Sequence, residues 1–337
     1  MQKEHHVALY RKYRPASFDD VRGQEQIVLL LKNAISQHKV SHAYLFCGGR
    51  GTGKTTVARI VARDIGCNPE DIIEIDAASN RGIDEIRELR EAVRTAPFSS
   101  PYKVYIIDEA HMLTKEAANA LLKTLEEPPS HVIFILATTD PEKLPTTIVS
   151  RCQKVVFKSP DIQTLTERLF HVAHKEGYIS FPMEGAELIA RHSKGSYRDG
   201  LGILEQVLTA SSDRLSFEDI TLHLGAPQEE VIISLLDSMC RKDTKSLVDS
   251  ISLLQKGNMS ALRVYDSLID IFRLALISRL GGEVPTSPVV KGLAIEHPHT
   301  VASKTILELL EKRHLLEVSE GHSWTAFTAI LLSCIEV

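Results

Sequence analysis

The run Gly48-Gly49-Arg50-Gly51-Thr52-Gly53-Lys54-Thr55 has the spacing G-x-x-x-x-G-K-[ST], and each residue type in it has a use in holding phosphate. Glycines let backbone N–H groups turn inward around phosphate oxygens. Lys54 is spaced to reach β- and γ-phosphates as a point charge, and the Thr55 hydroxyl to ligate Mg²⁺. A second run, Lys103-Val104-Tyr105-Ile106-Ile107-Asp108-Glu109, is an apolar strand ending in two carboxylates, the pattern of a Walker B strand. Asp108 suits Mg²⁺ held through its water shell, because Mg²⁺ dehydrates reluctantly. Glu109 suits the orienting or polarising of an attacking water. Alone, an acidic pair after a strand is a solvated helix start, and a glycine-rich octapeptide is a turn. Together they make ATP and Mg²⁺ the expected ligands, with Gly48, Gly49, Arg50, Gly51, Thr52, Gly53, Lys54, Thr55 and Thr56 around the phosphates and Thr55 and Asp108 at the metal.

These groups act together only if a sheet gathers them. Tyr44-Leu45-Phe46 reads as the strand before the loop, and Thr55–Ala62 as the helix after it, whose N-terminus favours the same anion. Short apolar runs rich in Val and Ile, at Ala43–Phe46, Ile72–Ile75, Val104–Ile107, Val132–Ala137 and Lys154–Phe157, predict buried parallel strands. They alternate with helical stretches such as Ile83–Ala92 and Lys115–Leu125, the second stopped by Pro128-Pro129. The alternation predicts an α/β P-loop NTPase: a parallel sheet with flanking helices and the phosphate site at the carboxyl ends of the strands. Ser159-Pro160 predicts a helix capped by Ser159 and ending near Gly177. Past Ala226-Pro227 the chain reads as helices, in Glu229–Cys240, Leu247–Gln255, Ala261–Arg279 and Thr305–Leu315, with apolar residues three and four apart. The expected domains are therefore 1–158, 159–225 and 226–337, the last all-α.

With 337 residues, 43% hydrophobic and 25% charged, the composition is that of a soluble globular protein of two or three domains. A net charge of −5 argues against a uniformly basic nucleic-acid binder and leaves room for a local basic surface. The fourteen histidines lack metal-ligand spacing, and His111, directly after the acidic pair, reads as a boundary residue. Five cysteines, Cys47, Cys67, Cys152, Cys240 and Cys334, are odd in number and widely spaced, which points to a reducing compartment and buried apolar roles. No apolar run approaches ~20 residues and the N-terminus carries no secretory h-region, so the expected location is the cytoplasm, without a membrane partner.

Further runs carry a family resemblance. They are Arg11-Lys12-Tyr13-Arg14-Pro15, Phe18-Asp19-Asp20-Val21-Arg22-Gly23-Gln24, Glu74-Ile75-Asp76-Ala77-Ala78-Ser79-Asn80 and Asp108-Glu109-Ala110-His111-Met112-Leu113. Asn119-Ala120-Leu121-Leu122-Lys123-Thr124-Leu125-Glu126-Glu127-Pro128-Pro129 is more specific, followed by Leu136–Pro145 and Ser150-Arg151-Cys152. Over residues 8 to about 225 the chain resembles the AAA+ clamp-loader ATPases, the tau/gamma subunits of bacterial DNA polymerase III; the helical remainder fits in size and class only. The resemblance implies an AAA+ base, a helical lid and a collar that builds a circular assembly. It implies opening of a sliding clamp and its loading on primed DNA during replication. It implies as partners delta- and delta-prime-type subunits, copies of the chain itself, the clamp and primed DNA, with the polymerase core as a further candidate. Thr139 matches the sensor 1 position, with Thr138 as the alternative. Arg198, in Gly195-Ser196-Tyr197-Arg198-Asp199, matches sensor 2. Arg151 matches the arginine finger aimed at a neighbour's ATP, a role suited to a permanently charged, forked donor.

Two departures from the family stand out. Family members carry a four-cysteine zinc module before the Glu-Ile-Asp-Ala-Ala stretch; here only Cys67 stands in Cys67-Asn68-Pro69-Glu70-Asp71-Ile72-Ile73-Glu74, and no zinc is expected. The chain also runs only to the collar-sized region, without the long tail of the tau form. No paired-carboxylate site for two-metal nucleotidyl transfer is visible, so polymerisation belongs to the holoenzyme. Two other readings are a different AAA+ remodeller, such as a branch-migration helicase or unfoldase, and a non-catalytic structural subunit. Glu126-Glu127-Pro128-Pro129 with Ser150-Arg151-Cys152 argues against the first, and intact Lys54, Asp108 and Glu109 against the second.

Overall fold

A computed structural model of the chain describes residues 7–79, 88–89, 91–210, 215–224, 229–256, 259–284, 287–319 and 321–335. The chain divides into two compact units, one ending at Ser216 and the other beginning at Phe217. The expected boundary at Ala226-Pro227 lies outside the described residues.

In the first unit, α1 (Glu25–Ser36), β1 (Ala43–Cys47), α2 (Lys54–Asp64), β2 (Ile72–Asp76), β3 (Lys103–Asp108), α3 (Lys115–Glu126), β4 (Val132–Thr138) and β5 (Gln153–Val156) form the α/β part. All strand pairs are parallel, in the order β2-β3-β4-β1-β5. Alternate side chains of the central strands β1, β3 and β4 enter separate cores. Leu45, Tyr105, Ile107, Phe134 and Leu136 pack with Leu121 and Leu125 of α3. Tyr44, Phe46, Ile106 and Ile135 pack with Leu31 of α1 and with Ile60 and Val61 of α2. Two covered faces are why β1, β3 and β4 are nearly continuous apolar runs without polar alternation, while the edge strands β2 and β5 carry Glu74, Gln153 and Lys154.

The order of the strands matters more to the site than their existence. β4 lies between β1 and β3, so the carboxyl ends of β1, β4 and β3 stand side by side. These ends carry the phosphate loop, Thr138-Thr139 and Asp108-Glu109. Of the helix expected at Ile83–Ala92, residues 83–87 and 90 lie outside the described residues.

Helices α4 (Ile162–Lys175), α5 (Met183–His192) and α6 (Tyr197–Ala210) complete this unit. The cap of α4 differs from expectation. Asp161, not Ser159, caps it, its side chain accepting the Thr164 N–H at 2.7 Å. A carboxylate also complements the helix N-terminus better than a hydroxyl does.

The second unit is all helical among the described residues: α7 (Phe217–Leu224), α8 (Glu229–Arg241), α9 (Thr244–Lys256), α10 (Ala261–Arg279), α11 (Pro288–Glu296), α12 (Ser303–Val318) and α13 (Ser323–Ile335). Its core gathers Leu235, Leu268, Phe272, Phe327 and Leu331. The Tyr265 hydroxyl donates to the Leu309 carbonyl at 2.8 Å, and Arg313 grips both oxygens of Asp266 at 2.7 and 2.9 Å. Among the described residues no helix is long and apolar enough to cross a membrane.

Candidate nucleotide site

The phosphate loop leaves β1 at Gly48, whose N–H donates to the Thr138 carbonyl at 3.2 Å. A side chain at Gly48 would stand 2.5 Å from the Phe157 carbonyl oxygen, so only glycine passes between β1 and the end of β5. Lys54 opens α2 and is only 6% exposed. Its ammonium donates to the Gly48 and Gly49 carbonyls at 2.8 and 2.9 Å, which holds it across the mouth of the loop. Burial pulls this ammonium below lysine's usual range; the carboxylates of Glu109 and Asp108 oppose that and Arg198 adds to it.

Thr55 and Asp108 are brought together. The Thr55 hydroxyl donates to Asp108 Oδ2 at 2.6 Å, and Asp108 Oδ1 accepts the Glu109 N–H at 3.0 Å. Two hard oxygens side by side, with open solvent room, fit the chemistry of Mg²⁺. Glu109 takes a left-handed backbone at φ 48°, a conformation that costs a bulky residue of order 1–3 kcal/mol and is typical of functional turns. Its carboxylate faces the end of β4, where the Thr139 hydroxyl lies 3.4 Å from Oε2.

Thr138 and Thr139 are separated by the pleat. Thr138 is fully buried; its hydroxyl accepts the Asp140 N–H and meets His111 Nδ1, both at 3.0 Å. Thr139 turns toward Glu109. His111 is not the boundary residue that its position suggested. Its side chain is 9% exposed and sits between Glu109 and Asp140, 3.5 Å from each carboxylate.

A cleft passes along Arg50 to Val57, Asp108, Glu109 and Arg198, so Arg50, Gly51, Thr52, Gly53, Lys54, Thr55 and Thr56 line it, while Gly48 and Gly49 meet it through their carbonyl contacts with Lys54. Its other walls carry no local chemical signature in the sequence: Tyr10, Tyr13, Arg14 and Val21 near the N-terminus, Arg168 on α4, and Tyr197 and Leu201 on α6. Burial pushes the Tyr197 phenol up to about 12, so it stays neutral. Tyr13-Arg14-Pro15 is conspicuous in the sequence, yet nothing in its spacing tells that it folds against residues 50–57.

Arg151 lies elsewhere. Gln153 pairs with Tyr44, four residues before Gly48, which is ~13 Å of strand, and Arg151 is two residues further back. It is held near the amino ends of the strands, by Glu126 on α3 at 2.5 Å and by the Thr147 carbonyl at 2.7 Å. The geometry keeps Arg151 from this chain's own phosphate loop.

At the position where the family resemblance implies a metal module, Cys67 is buried and its Sγ lies 2.8 Å from the Tyr102 carbonyl. Burial, then the nearby Asp71 charge, pushes its thiol up to about 11. Asp71 itself clasps the Phe98 and Ser99 N–H groups at 2.6 and 3.0 Å. Among the described residues no group of three or more His, Cys, Asp or Glu side chains is arranged to hold a metal.

The parallel sheet, with β4 between the phosphate-loop strand and the acidic strand, defines an AAA+ P-loop NTPase fold. Thermotoga maritima RuvB, described as a Holliday junction branch migration motor, shares it with a TM-score of 0.54 at 22% identity, covering 84% of this chain and 91% of that one. A family model described as "DNA polymerase III, delta subunit" matches residues 23–80 and 69–161. Bacillus subtilis DNA polymerase III subunit tau is 42% identical over 308 residues, covering 85% of this chain and 53% of the relative. DNA polymerase III subunit gamma of Buchnera aphidicola (subsp. Schizaphis graminum) is 37% identical over 286 residues, covering 79% and 78%. The chain belongs to the gamma/tau subunit family of DNA polymerase III. It spans about half the length of the first tau relatives, 53% and 39%.

Proposed function

We propose that the chain is the ATP-binding and ATP-hydrolysing motor subunit of a DNA polymerase III clamp loader, which opens a ring-shaped clamp and places it on primed DNA. The observation that carries the ATPase part is the convergence of Lys54, Thr55, Asp108, Glu109 and Thr139 on one edge of the sheet. Family membership supports the clamp and DNA as substrates. The Gly48–Thr56 backbone and Lys54 hold the triphosphate, and Thr55 and Asp108 hold Mg²⁺, which neutralises phosphate charge when bound. Glu109 orients the attacking water, steadied by Thr139. Arg198, on the first turn of α6, reads the same nucleotide, and the Tyr197 N–H bond to the Gly51 carbonyl at 3.1 Å ties that helix to the phosphate loop. Arg151 serves the ATP of an adjacent subunit.

In this reading residues 1–158 are the nucleotide-binding base, 159–225 the lid and 226–337 a collar, with delta- and delta-prime-type subunits and further copies of the chain completing the ring. The free energy of ATP binding favours a closed arrangement around clamp and DNA, and hydrolysis releases it. The test is clamp loading: labelled clamp retained on primed circular DNA by the assembled loader. Retention that needs ATP and an intact Lys54 supports the proposal; equal retention with Lys54→Ala in every copy sinks it.

A further inference from the structure

Glu126 stands where local rules disfavour it. It is the last residue of α3, at the negative end of the helix dipole, and Glu127 follows. A breach of a local rule without local compensation points to a role in function. The compensation is Arg151, whose Nη2 donates to Glu126 Oε1 at 2.5 Å. Nη1 donates to the Thr147 carbonyl at 2.7 Å and lies 3.4 Å from Ser150 Oγ. A guanidinium has five N–H donors. Among the described residues three are engaged by these contacts, which leaves Nε–H and one Nη2–H as a fork for an outside anion. Both side chains are partly exposed, 33% for Arg151 and 47% for Glu126.

Both anchors are rigid. The end of α3 that carries Glu126 is fixed by Leu121 and Leu125, buried in the core five residues and one residue earlier, and the chain beyond is stiffened by Pro128-Pro129. Thr147 belongs to a helical turn, Thr146–Val149, pinned by buried Ile148. A forked cation clamped at one edge and free at the other is pre-organised to meet phosphate.

We propose that Glu126 is a positioning residue for Arg151, aligning its free fork toward the nucleotide bound by an adjacent subunit. This rests on the reading of Arg151 as acting in trans. Displacing a reacting group's partner by about 1 Å costs up to ~10²-fold in rate, so Glu126→Ala lowers kcat of the assembled loader by about 10- to 100-fold. KM for ATP and the nucleotide affinity of the substituted subunit stay unchanged, since Glu126 is not in the cleft.

The experiment measures steady-state ATP turnover of the assembled loader, carrying Glu126→Ala, Glu126→Gln, Arg151→Ala or Glu126→Ala with Arg151→Ala in all copies of this chain, together with each variant's melting temperature. The expected result is a kcat loss for Glu126→Ala, a smaller one for Glu126→Gln, which keeps an acceptor oxygen, and no further loss on adding Glu126→Ala to Arg151→Ala. Additive losses, or a raised KM with a lowered melting temperature, overturn the positioning role. An Arg151→Ala loss with Glu126→Ala unaffected overturns it too, and leaves Arg151 in place. Full turnover with Arg151→Ala overturns the trans reading itself.

Discussion

Replacing Gly51 by alanine tests how closely the phosphate loop and α6 are joined. Gly51 has φ +71°, and an added Cβ would stand 2.0 Å from Ser196 Oγ, 3.1 Å from Ser196 Cβ and 3.4 Å from Arg198 Cβ. Two costs separate cleanly. A left-handed backbone costs alanine about 1–2 kcal/mol, or roughly 5- to 30-fold in an equilibrium. The overlap is a second cost. Ordinary contact needs roughly 3.5 Å; turning the Ser196 hydroxyl aside relieves the 2.0 Å overlap but gives up its bond to the Asp199 N–H, and the 3.1 Å contact with Ser196 Cβ still pushes back the start of α6. That strains the Tyr197 N–H bond to the Gly51 carbonyl and shifts Arg198 from its proposed place at the phosphates, worth up to ~10²-fold. Gly51→Ala should therefore weaken ATP binding and turnover together by about 10³-fold. Adding Ser196→Gly removes both offending Ser196 atoms. As Ser196 Oγ accepts the Asp199 N–H at 3.2 Å, it caps α6, and glycine substitutes for a cap at a cost of only a few tenths of a kcal/mol. The double variant should then sit within roughly 30-fold of the parent. Titration with a fluorescent ATP analogue, alongside steady-state turnover, reads both numbers. Equal losses in the single and double variants would refute the overlap argument.

Lys54→Ala removes a cation from a site where hydrogen bonds to charged groups contribute about 1.5–3 kcal/mol each, so ATP affinity should fall ~10²-fold, read by the same titration; unchanged affinity removes Lys54 from its role. Glu109→Gln should bind ATP normally and lower turnover by about 10²–10⁴-fold; a single-turnover chase separates the two steps, and parallel losses would contradict the assignment. Asp71 provides a pH test. Burial opposes its ionisation, but the N–H groups of Ser99 and Phe98 and the Ser100 hydroxyl outweigh burial and hold the carboxyl below its usual value. A depressed value stabilises the fold above the unfolded carboxyl's pKa of about 3.9, and this contribution is lost as pH falls through the lower folded value. Asp71→Asn should thus melt at a lower temperature at neutral pH and lose less on acidification; parallel melting curves from neutral pH to pH 3 would contradict it.

The parts of the site within one stretch of chain were legible in sequence. Gly48–Thr55 and Val104–Glu109 combine period, composition and chemistry in a few consecutive residues, and the three central strands β1, β3 and β4 stand out because both of their faces are buried. What the sequence does not carry is adjacency. Nothing in residues 132–139 says that β4 runs between β1 and β3, so the meeting of Thr139 with Glu109, and of His111 with Thr138, had no local signal. Adjacent in sequence, Thr138 and Thr139 differ through the pleat, which buries one hydroxyl and turns the other to Glu109. Ser159-Pro160-Asp161 holds two good caps, and the choice falls to Asp161 through a contact that composition cannot rank. α13, apolar nearly all round in Ser323–Ile335, escapes a periodicity argument because it buries Phe327, Ile330, Leu331 and Ile335 with little polar contrast.

The proposed function couples ATP hydrolysis by this chain to a clamp and a primer junction. The most direct test is steady-state ATP hydrolysis by the chain assembled with the delta- and delta-prime-type subunits proposed as its partners, measured with and without sliding clamp and primed template. The account predicts strong stimulation that requires both together and disappears with Arg151→Ala. Hydrolysis indifferent to clamp and template would contradict it, leaving an ATPase that works on something else.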